Sequence, residues 1–304
     1  MGKRLNGRVA VVTGAGRGIG RGIALLLASE GAAVVVNDLG VSVGGDDASA
    51  TPAEEVVEEI RAAGGNAVAN ADSVADFAAA ENIIHTAVSE FGRLDILVNV
   101  AGILRDRMVF NLSEDDWDAV IKVHLKGTFN TVRHASRRMR EQQGGRIVNF
   151  SSTSGLYGNS GQANYGAAKD GIAGLTRVVS RDLGKYGITV NAVAPVARTR
   201  MTQTVSDAAR QARASRGISA GAPAVDLRME PEDVAPMVAW LCTDAAKDVN
   251  GQFFLVRGGV ISLLNYPAPA RTITKRGRWS ADEIAALFPS TFGMDLVNPA
   301  PRRE

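Results

Sequence analysis

The chain has 304 residues, 45% hydrophobic and 22% charged, with 34 basic against 32 acidic side chains and a net charge of +2. That balance is ordinary for a folded globular protein and gives no general attraction to nucleic acid, so no nucleic-acid partner is expected. One cysteine excludes an internal disulfide; His85, His124 and His134 lack ligand spacing, so no metal site is expected; no apolar run is long enough to span a membrane.

An apolar strand is expected over 8–13, running into Gly14-Ala-Gly16-Arg17-Gly18-Ile19-Gly20 and then a helix. Glycines let the backbone turn sharply and approach a pyrophosphate, which would rest on the amino terminus of the helix. The spacing G-x-x-x-G-x-G differs from the dinucleotide fingerprint G-x-G-x-x-G, and its weight comes from its place between a strand and a helix. A second strand over 33–38 ends in Asp38, 18 residues after Gly20. A carboxylate there accepts the ribose hydroxyls of NAD and repels the 2′-phosphate of NADP, whereas Arg17 would pair with that phosphate. One fixed carboxylate outweighs one mobile arginine, so NAD is the expected cofactor. The small, polar stretch 39–51 reads as a flexible loop.

Further strands are expected over 66–71, 94–99, 146–151, 188–193 and 252–256, with helices between them. Right-handed crossovers then give an α/β fold, a doubly wound seven-stranded parallel sheet in the order 3-2-1-4-5-6-7, within one domain over 1–261. The strand over 146–151 delivers Ser152 to the rim of the sheet, where ligands bind in such folds. Tyr165 lies 13 residues further on and Lys169 four beyond that, on one helical face. An ammonium beside the phenol would pull its pKa down from about 10 and make Tyr165 a proton carrier. The connection 196–230 carries Arg198, Arg200, Arg210, Arg213, Arg216 and Arg228 alongside Asp207 and Asp226, either a solvated helix or a basic rim for CoA phosphates. Cys242 ends the apolar run from Val238 and reads as a buried structural thiol. Residues 262–304 form an extension in which Ser280 and Glu283 make a capping box, Trp279 and Ile284 a hydrophobic staple, and 281–288 a short helix.

These motifs together resemble the short-chain dehydrogenase/reductase family over about residues 5–261. Asp72-Ser73, Asn99-Val100-Ala101-Gly102, Asn191 to Pro195 and Asn250-Gly-Gln252 fit the same pattern. The resemblance implies that Ser152 orients the substrate carbonyl or hydroxyl and Tyr165 exchanges the proton. Lys169 would lower the tyrosine pKa and hold the nicotinamide ribose, while a hydride passes between cofactor and substrate carbon. It also implies cofactor contacts from Gly14, Gly16, Arg17, Gly18, Ile19, Gly20, Asp38, Asp72, Ser73, Asn99, Ala101, Gly102, Tyr165, Lys169, Pro195, Val196 and Thr199, and a substrate lid at 196–230. Helices over 113–140 and 163–186 would build a homodimer or homotetramer, with Ala167, Ala168, Ile172, Ala173 and Leu175 as a small-to-apolar associating surface.

There are departures. Val100 and Val196 replace a family asparagine and glycine, and His124 stands where an asparagine completes the catalytic tetrad; by backbone alone it could keep the helix bend usual there. A narrower likeness runs through Val36 to Gly40, Ala101 to Arg107, Asp116-Trp-Asp118, Val123 to Gly127, Tyr157-Gly-Asn159, Gly161 to Tyr165 and Arg200 to Thr204. It is to the dehydrogenase units of peroxisomal type 2 multifunctional enzymes, and it covers His124 as well. It implies oxidation of (3R)-hydroxyacyl-CoA with NAD, and of 17β-hydroxysteroids. Hydratase and sterol-carrier parts have no counterpart, so hydration is expected to need another protein. The expected partner is therefore a small molecule, an acyl-CoA or steroid. Alternatives are a 17β-hydroxysteroid dehydrogenase, an NADPH-dependent 3-oxoacyl carrier-protein reductase, which Asp38 disfavours, and a non-catalytic nucleotide sensor, against which Ser152, Tyr165 and Lys169 stand. With neither a signal-peptide h-region nor a terminal Ser-Lys-Leu, a cytoplasmic location is expected.

Overall fold

Strand β1 (Val9–Thr13) gives way to helix α1 (Gly18–Ser29), and the alternation continues through β2 (Ala33–Asn37), α2 (Thr51–Ala62), β3 (Asn66–Asn70), α3 (Phe77–Phe91) and β4 (Ile96–Asn99). Next come α4 (Glu114–Ile121), a π-helical turn (Lys122–Lys126), α5 (Gly127–Gln142), β5 (Gly145–Phe150), the short α6 (Thr153–Tyr157) and α7 (Ala163–Leu183). Then follow β6 (Ile188–Val196), α8 (Ala235–Leu241), β7 (Phe253–Arg257), β8 (Val260–Leu264) and α9 (Ala281–Leu287). This computed structural model describes residues 3–46, 51–198, 229–296 and 299. Thr199 and the arginines expected at 200–228 lie outside the described residues, as do positions 47–50 of the loop.

The strands form one sheet in the order β3-β2-β1-β4-β5-β6-β7-β8. Seven run parallel, in the expected order. The expected strand count is corrected by the eighth, β8, which pairs antiparallel with β7, Arg257 opposite Val260. Gly258 and Gly259 make the two-residue turn between them, with Gly258 at φ 51°. A Gly-Gly pair between two apolar runs is a hairpin signal, and it was present in the sequence.

Both faces of the central strands β1 and β4 are buried, so they read as continuous apolar runs, whereas the edge strand β3 is partly exposed. Side chains alternate across the sheet. Ala10, Val12, Val34, Val36, Ile96 and Val98 pack on one face with Ile23 and Leu27 of α1, Val56 and Ile60 of α2 and Val238 and Leu241 of α8. Val9, Val11, Val35 and Leu97 pack on the other face with Ile83 and Ile84 of α3, Val132 and Met139 of α5 and Leu183 of α7. Cys242 is buried, and burial raises its thiol pKa to about 12, as befits an inert structural side chain.

By its internal contacts the chain divides into one unit over 1–206 and 223–264 and a second that includes residues 265–304. Within the second, Glu283 N donates to Ser280 Oγ at 3.2 Å and Ser280 N donates to the Glu283 carboxylate at 2.7 Å, closing the capping box at the start of α9. Lys275 pairs with the same carboxylate at 2.6 Å, while Ile284, Leu287 and Phe288 are exposed.

Candidate active site

The expected site residues gather just beyond the carboxyl ends of β1, β2, β4, β5 and β6, where the strand order reverses between β1 and β4. Thr13 is level with both Asn37 and Asn99, and Asn99 with Asn149. This register sets Gly14, Asp38, Val100 and the β5 end in one row. It is the crevice in which open α/β sheets hold ligands.

On the β1–β2 side, the glycine loop and Asp38 form one unit. Gly16 N donates to Asp38 Oδ2 at 2.8 Å and Gly40 N donates to Oδ1 at 2.7 Å, so the carboxylate is fixed from two sides. A Cβ on Gly16 would lie 2.9 Å from Asp38 Oδ2 and 2.7 Å from Pro52 Cβ, which explains the glycine. Helix α1 begins at Gly18 without a side-chain cap from Arg17 and without an acid in its first turn. Its first N–H groups are therefore open to an anion. Asp72 is held by Asn70 Nδ2 at 2.8 Å and Asn82 Nδ2 at 3.0 Å, and Ser73 Oγ accepts from Ala75 N at 3.3 Å.

The expected flexible loop after β2 is fastened over its described part. Leu104 N donates to Val43 O at 2.9 Å and Arg105 Nε to Gly44 O at 2.9 Å, while Val41 joins the apolar cluster of Ile103, Val120 and the Tyr165 ring. Small polar composition concealed this because the partners come from a segment some 60 residues away.

Asn99 was expected to touch cofactor, but its side chain turns into the sheet. Asn99 Nδ2 donates to Asn149 Oδ1 at 2.9 Å, Thr131 Oγ1 donates to Asn99 Oδ1 at 2.7 Å, and Asn149 Nδ2 donates to Thr176 Oγ1 at 3.0 Å. All four are buried, and the ladder ties β4 and β5 to α5 and α7. Ala101 sits at the rim through its backbone, its N–H directed at Thr13 Oγ1 at 3.3 Å. Pro195 and Val196 end β6, half-buried at the same rim.

Ser152 caps α6 and accepts from Ser154 N at 3.1 Å. Tyr165 and Lys169 both lie on α7, with the Lys169 Nζ 5.6 Å from the Tyr165 ring centre. The expected lowering of the tyrosine pKa is corrected by the structure. Burial pushes the Tyr165 phenol up to about 12, with Asp106 adding to the rise and a hydrogen bond from Ser152 opposing it. The residue as a whole is half-buried. Burial also brings Lys169 down to about 7, and its Nζ donates to Phe150 O at 2.8 Å. Two desolvated groups thus each favour their neutral form.

His124 lies in the π-helical turn between α4 and α5. Its ring is edge-on to Tyr165 at 5.1 Å, and Nε2 meets Ile103 O at 2.8 Å and Ile103 N at 3.1 Å. Burial, helped by Lys169, drops its pKa to about 3. The His124 side chain is therefore neutral and packs beneath the tyrosine.

Sequence reasoning gave no role to Arg105, Asp106, Gln162 or Asn164, although the first two stand in Arg105-Asp-Arg107 and the others in Gly161-Gln-Ala-Asn-Tyr165. Asn164 Nδ2 donates to Arg105 O at 2.9 Å and Tyr165 N donates to Asn164 Oδ1 at 2.8 Å, so the turn after β4 is pinned to the start of α7. Their signal was adjacency to a catalytic tyrosine, which does not reveal a partner.

A serine, a tyrosine and a lysine on the rim of a doubly wound sheet, opposite an anion-ready glycine loop, define an oxidoreductase site. The profile of the short chain dehydrogenase family matches residues 8–210. The chain is 44% identical to the hydroxyacyl-CoA dehydrogenase ChsB1 of Mycobacterium tuberculosis, covering 95% of this chain and 89% of that one. It is 44% identical to the peroxisomal multifunctional enzyme type 2 of Mus musculus over 90% of this chain, which spans 35% of that relative. A crystal structure of a short chain dehydrogenase from Mycobacterium avium superposes with a TM-score of 0.82 at 49% identity, covering 95% of this chain and 96% of that one. The chain belongs to the short-chain dehydrogenase/reductase family and is an oxidoreductase acting on a CH–OH group. Among the described residues no helix is long and apolar enough to cross a membrane.

Proposed function

We propose that this enzyme interconverts (3R)-3-hydroxyacyl-CoA and 3-oxoacyl-CoA with NAD, using Tyr165 as the proton carrier. The observation that carries the cofactor assignment is the Asp38 carboxylate, fixed by Gly16 N and Gly40 N at the end of β2. A carboxylate held there accepts ribose hydroxyls and repels a 2′-phosphate. The substrate assignment is supported by the likeness to hydroxyacyl-CoA dehydrogenases along nearly the whole chain.

The residues present fit a nicotinamide dinucleotide. The uncapped start of α1 suits the pyrophosphate, Asp38 the adenosine ribose, and Lys169 the nicotinamide ribose. Bound there, the nicotinamide supplies the two-electron redox chemistry. Ser152, whose Oγ accepts from Ser154 N and bonds the Tyr165 phenol, orients the substrate oxygen beside the proton carrier. Tyr165 holds or receives the proton of that oxygen. With its pKa raised to about 12, the phenol is protonated at neutral pH and ready to donate to a ketone. Alcohol oxidation needs the deprotonated form, so its rate rises with pH.

Tyr165→Phe should abolish turnover of a panel of acyl-CoA, acyl carrier-protein and steroid substrates while NAD still binds. A variant that keeps more than a small fraction of the wild-type rate would overturn the role of Tyr165, and preference for a steroid or a carrier-protein thioester would overturn the substrate class. We also infer a homodimer or homotetramer. Of the expected associating residues, Ala168, Ile172 and Ala173 are buried within the protomer, while Ala167 is exposed and Leu175 half-buried; exposed Trp117, Phe129 and Val178 on α4, α5 and α7 add to the support. A monomer by light scattering would contradict it.

A further inference from the structure

Three side chains without a part in the reaction as set out converge beside Tyr165. Gln162 Nε2 donates to Asp106 Oδ2 at 2.7 Å. A carboxylate only accepts, so the Gln162 amide must turn its nitrogen toward Asp106 and its oxygen away. That oxygen accepts from Ser154 Oγ at 2.8 Å and from Asn159 Nδ2 at 2.7 Å. Ser154 in turn gives its N–H to Ser152 Oγ at 3.1 Å. Ser154 is thus a donor on both sides, tied to Gln162 by its side chain and to Ser152 by its backbone, and Ser152 in turn bonds the Tyr165 phenol. An isolated β-bridge between Arg107 and Gln162 fastens the two ends, and Gln162 is buried.

We propose that Asp106 is a positioning residue of the reaction, which fixes the Ser152 hydroxyl through Gln162 and Ser154 and opposes negative charge on the Tyr165 oxygen. The inference rests on Tyr165 being the proton carrier.

Among the described residues, the titratable groups that face Tyr165 are Lys169 on its own helix, His124 on the π-turn and Asp106 on the turn after β4. His124 is neutral above its pKa of about 3. The guanidinium of Arg105 is directed at Gly44 O, Asp46 and Asp116, and Arg107 donates to the Asp106 main-chain oxygen. Asp106 is therefore the acidic group that bears on the phenol. Its charge acts in the same direction as burial, keeping the phenol protonated.

Two variants separate geometry from charge. Asp106→Asn keeps an oxygen for Gln162 Nε2 and removes the charge; Gln162→Leu breaks the donor chain and keeps the charge. The pH profile of kcat/KM for alcohol oxidation, from about pH 6 to about pH 10, reads both. In Asp106→Asn the rising limb should move to lower pH by about one unit. In Gln162→Leu kcat should fall about tenfold with the limb in place. Asp106→Glu, which retains the charge, should also leave the limb unmoved. The phenolate absorbance of Tyr165, identified as the transition lost in Tyr165→Phe among the four tyrosines, gives the same readout without turnover. An unmoved limb and absorbance midpoint in Asp106→Asn, or a moved one in Asp106→Glu, overturns this proposal. An active Tyr165→Phe overturns the reading beneath it instead.

Discussion

Gly102 lies directly against the His124 ring: a Cβ at this position would sit 2.9 Å from His124 Nδ1 and closer still to Cε1. The ring has nowhere to go, being 1% exposed and bonded at Nε2 to the backbone of Ile103. Gly102→Ala should therefore cost about 1–3 kcal/mol by overpacking and displace the ring that supports Tyr165. Urea denaturation together with kcat checks it. An alanine variant of wild-type stability and rate would show that the π-turn yields more easily than its packing implies.

His124 should also make the protein sensitive to acid. Its folded pKa of about 3 lies below the ordinary value of 6.5, so the unfolded chain binds more protons between those limits. The stability it confers is complete above about pH 6.5 and is lost as pH falls toward 3, by on the order of 5 kcal/mol at most. His124→Asn should flatten that part of the curve. Urea midpoints at neutral pH and near pH 4.5 compare the two, and parallel losses would place the acid sensitivity elsewhere.

Asp38 should decide between the two nicotinamide dinucleotides. NAD is expected to be preferred at least tenfold in kcat/KM, about 1.4 kcal/mol. Asp38→Ala should narrow the gap and also weaken NAD, because Gly16 N and Gly40 N lose their acceptor. Asp38→Asn, which keeps an acceptor without the charge, should gain NADP use with a smaller loss of NAD. Equal use of both cofactors by the wild type would transfer the decision to Arg17.

Arg105 should connect the loop after β2 to cofactor affinity. Its Nε bond to Gly44 O holds the loop that begins at the Asp38 anchor, in a part-buried setting. Loss of a charged hydrogen bond that is partly solvated is worth roughly 1 kcal/mol, so Arg105→Ala should weaken NAD about fivefold. Fluorescence titration measures it. An unchanged Kd would mean that the loop is held well enough by Leu104 N and Val41.

Strand β1, the glycine loop and Asp38 were legible because each signal is local: an apolar run, a sharp turn and an acid at a fixed distance. The same holds for Ser152, Tyr165 and Lys169, whose spacing depends only on a strand end and a helical turn. Strand β8 has a local signal too, the Gly258-Gly259 turn between two apolar runs. The partners of the Asn99 side chain, Asn149 and Thr131, were not legible, since they come from other elements of the sheet and its cover.

By itself the sequence determined the doubly wound fold, the glycine loop and the pairing of Tyr165 with Lys169, because those follow from periodicities of two and 3.6 residues and from short turns. Ionisation at the site depends instead on burial by the folded chain. Whether Lys169 lowers the Tyr165 pKa, and whether His124 is ever charged, depends on desolvation by segments distant in sequence. Asp106 and Gln162 are 56 residues apart and meet only when the turn after β4 folds against the start of α7. A hydrogen bond of that kind leaves no period in the chain, so no reading of spacing could have supplied it.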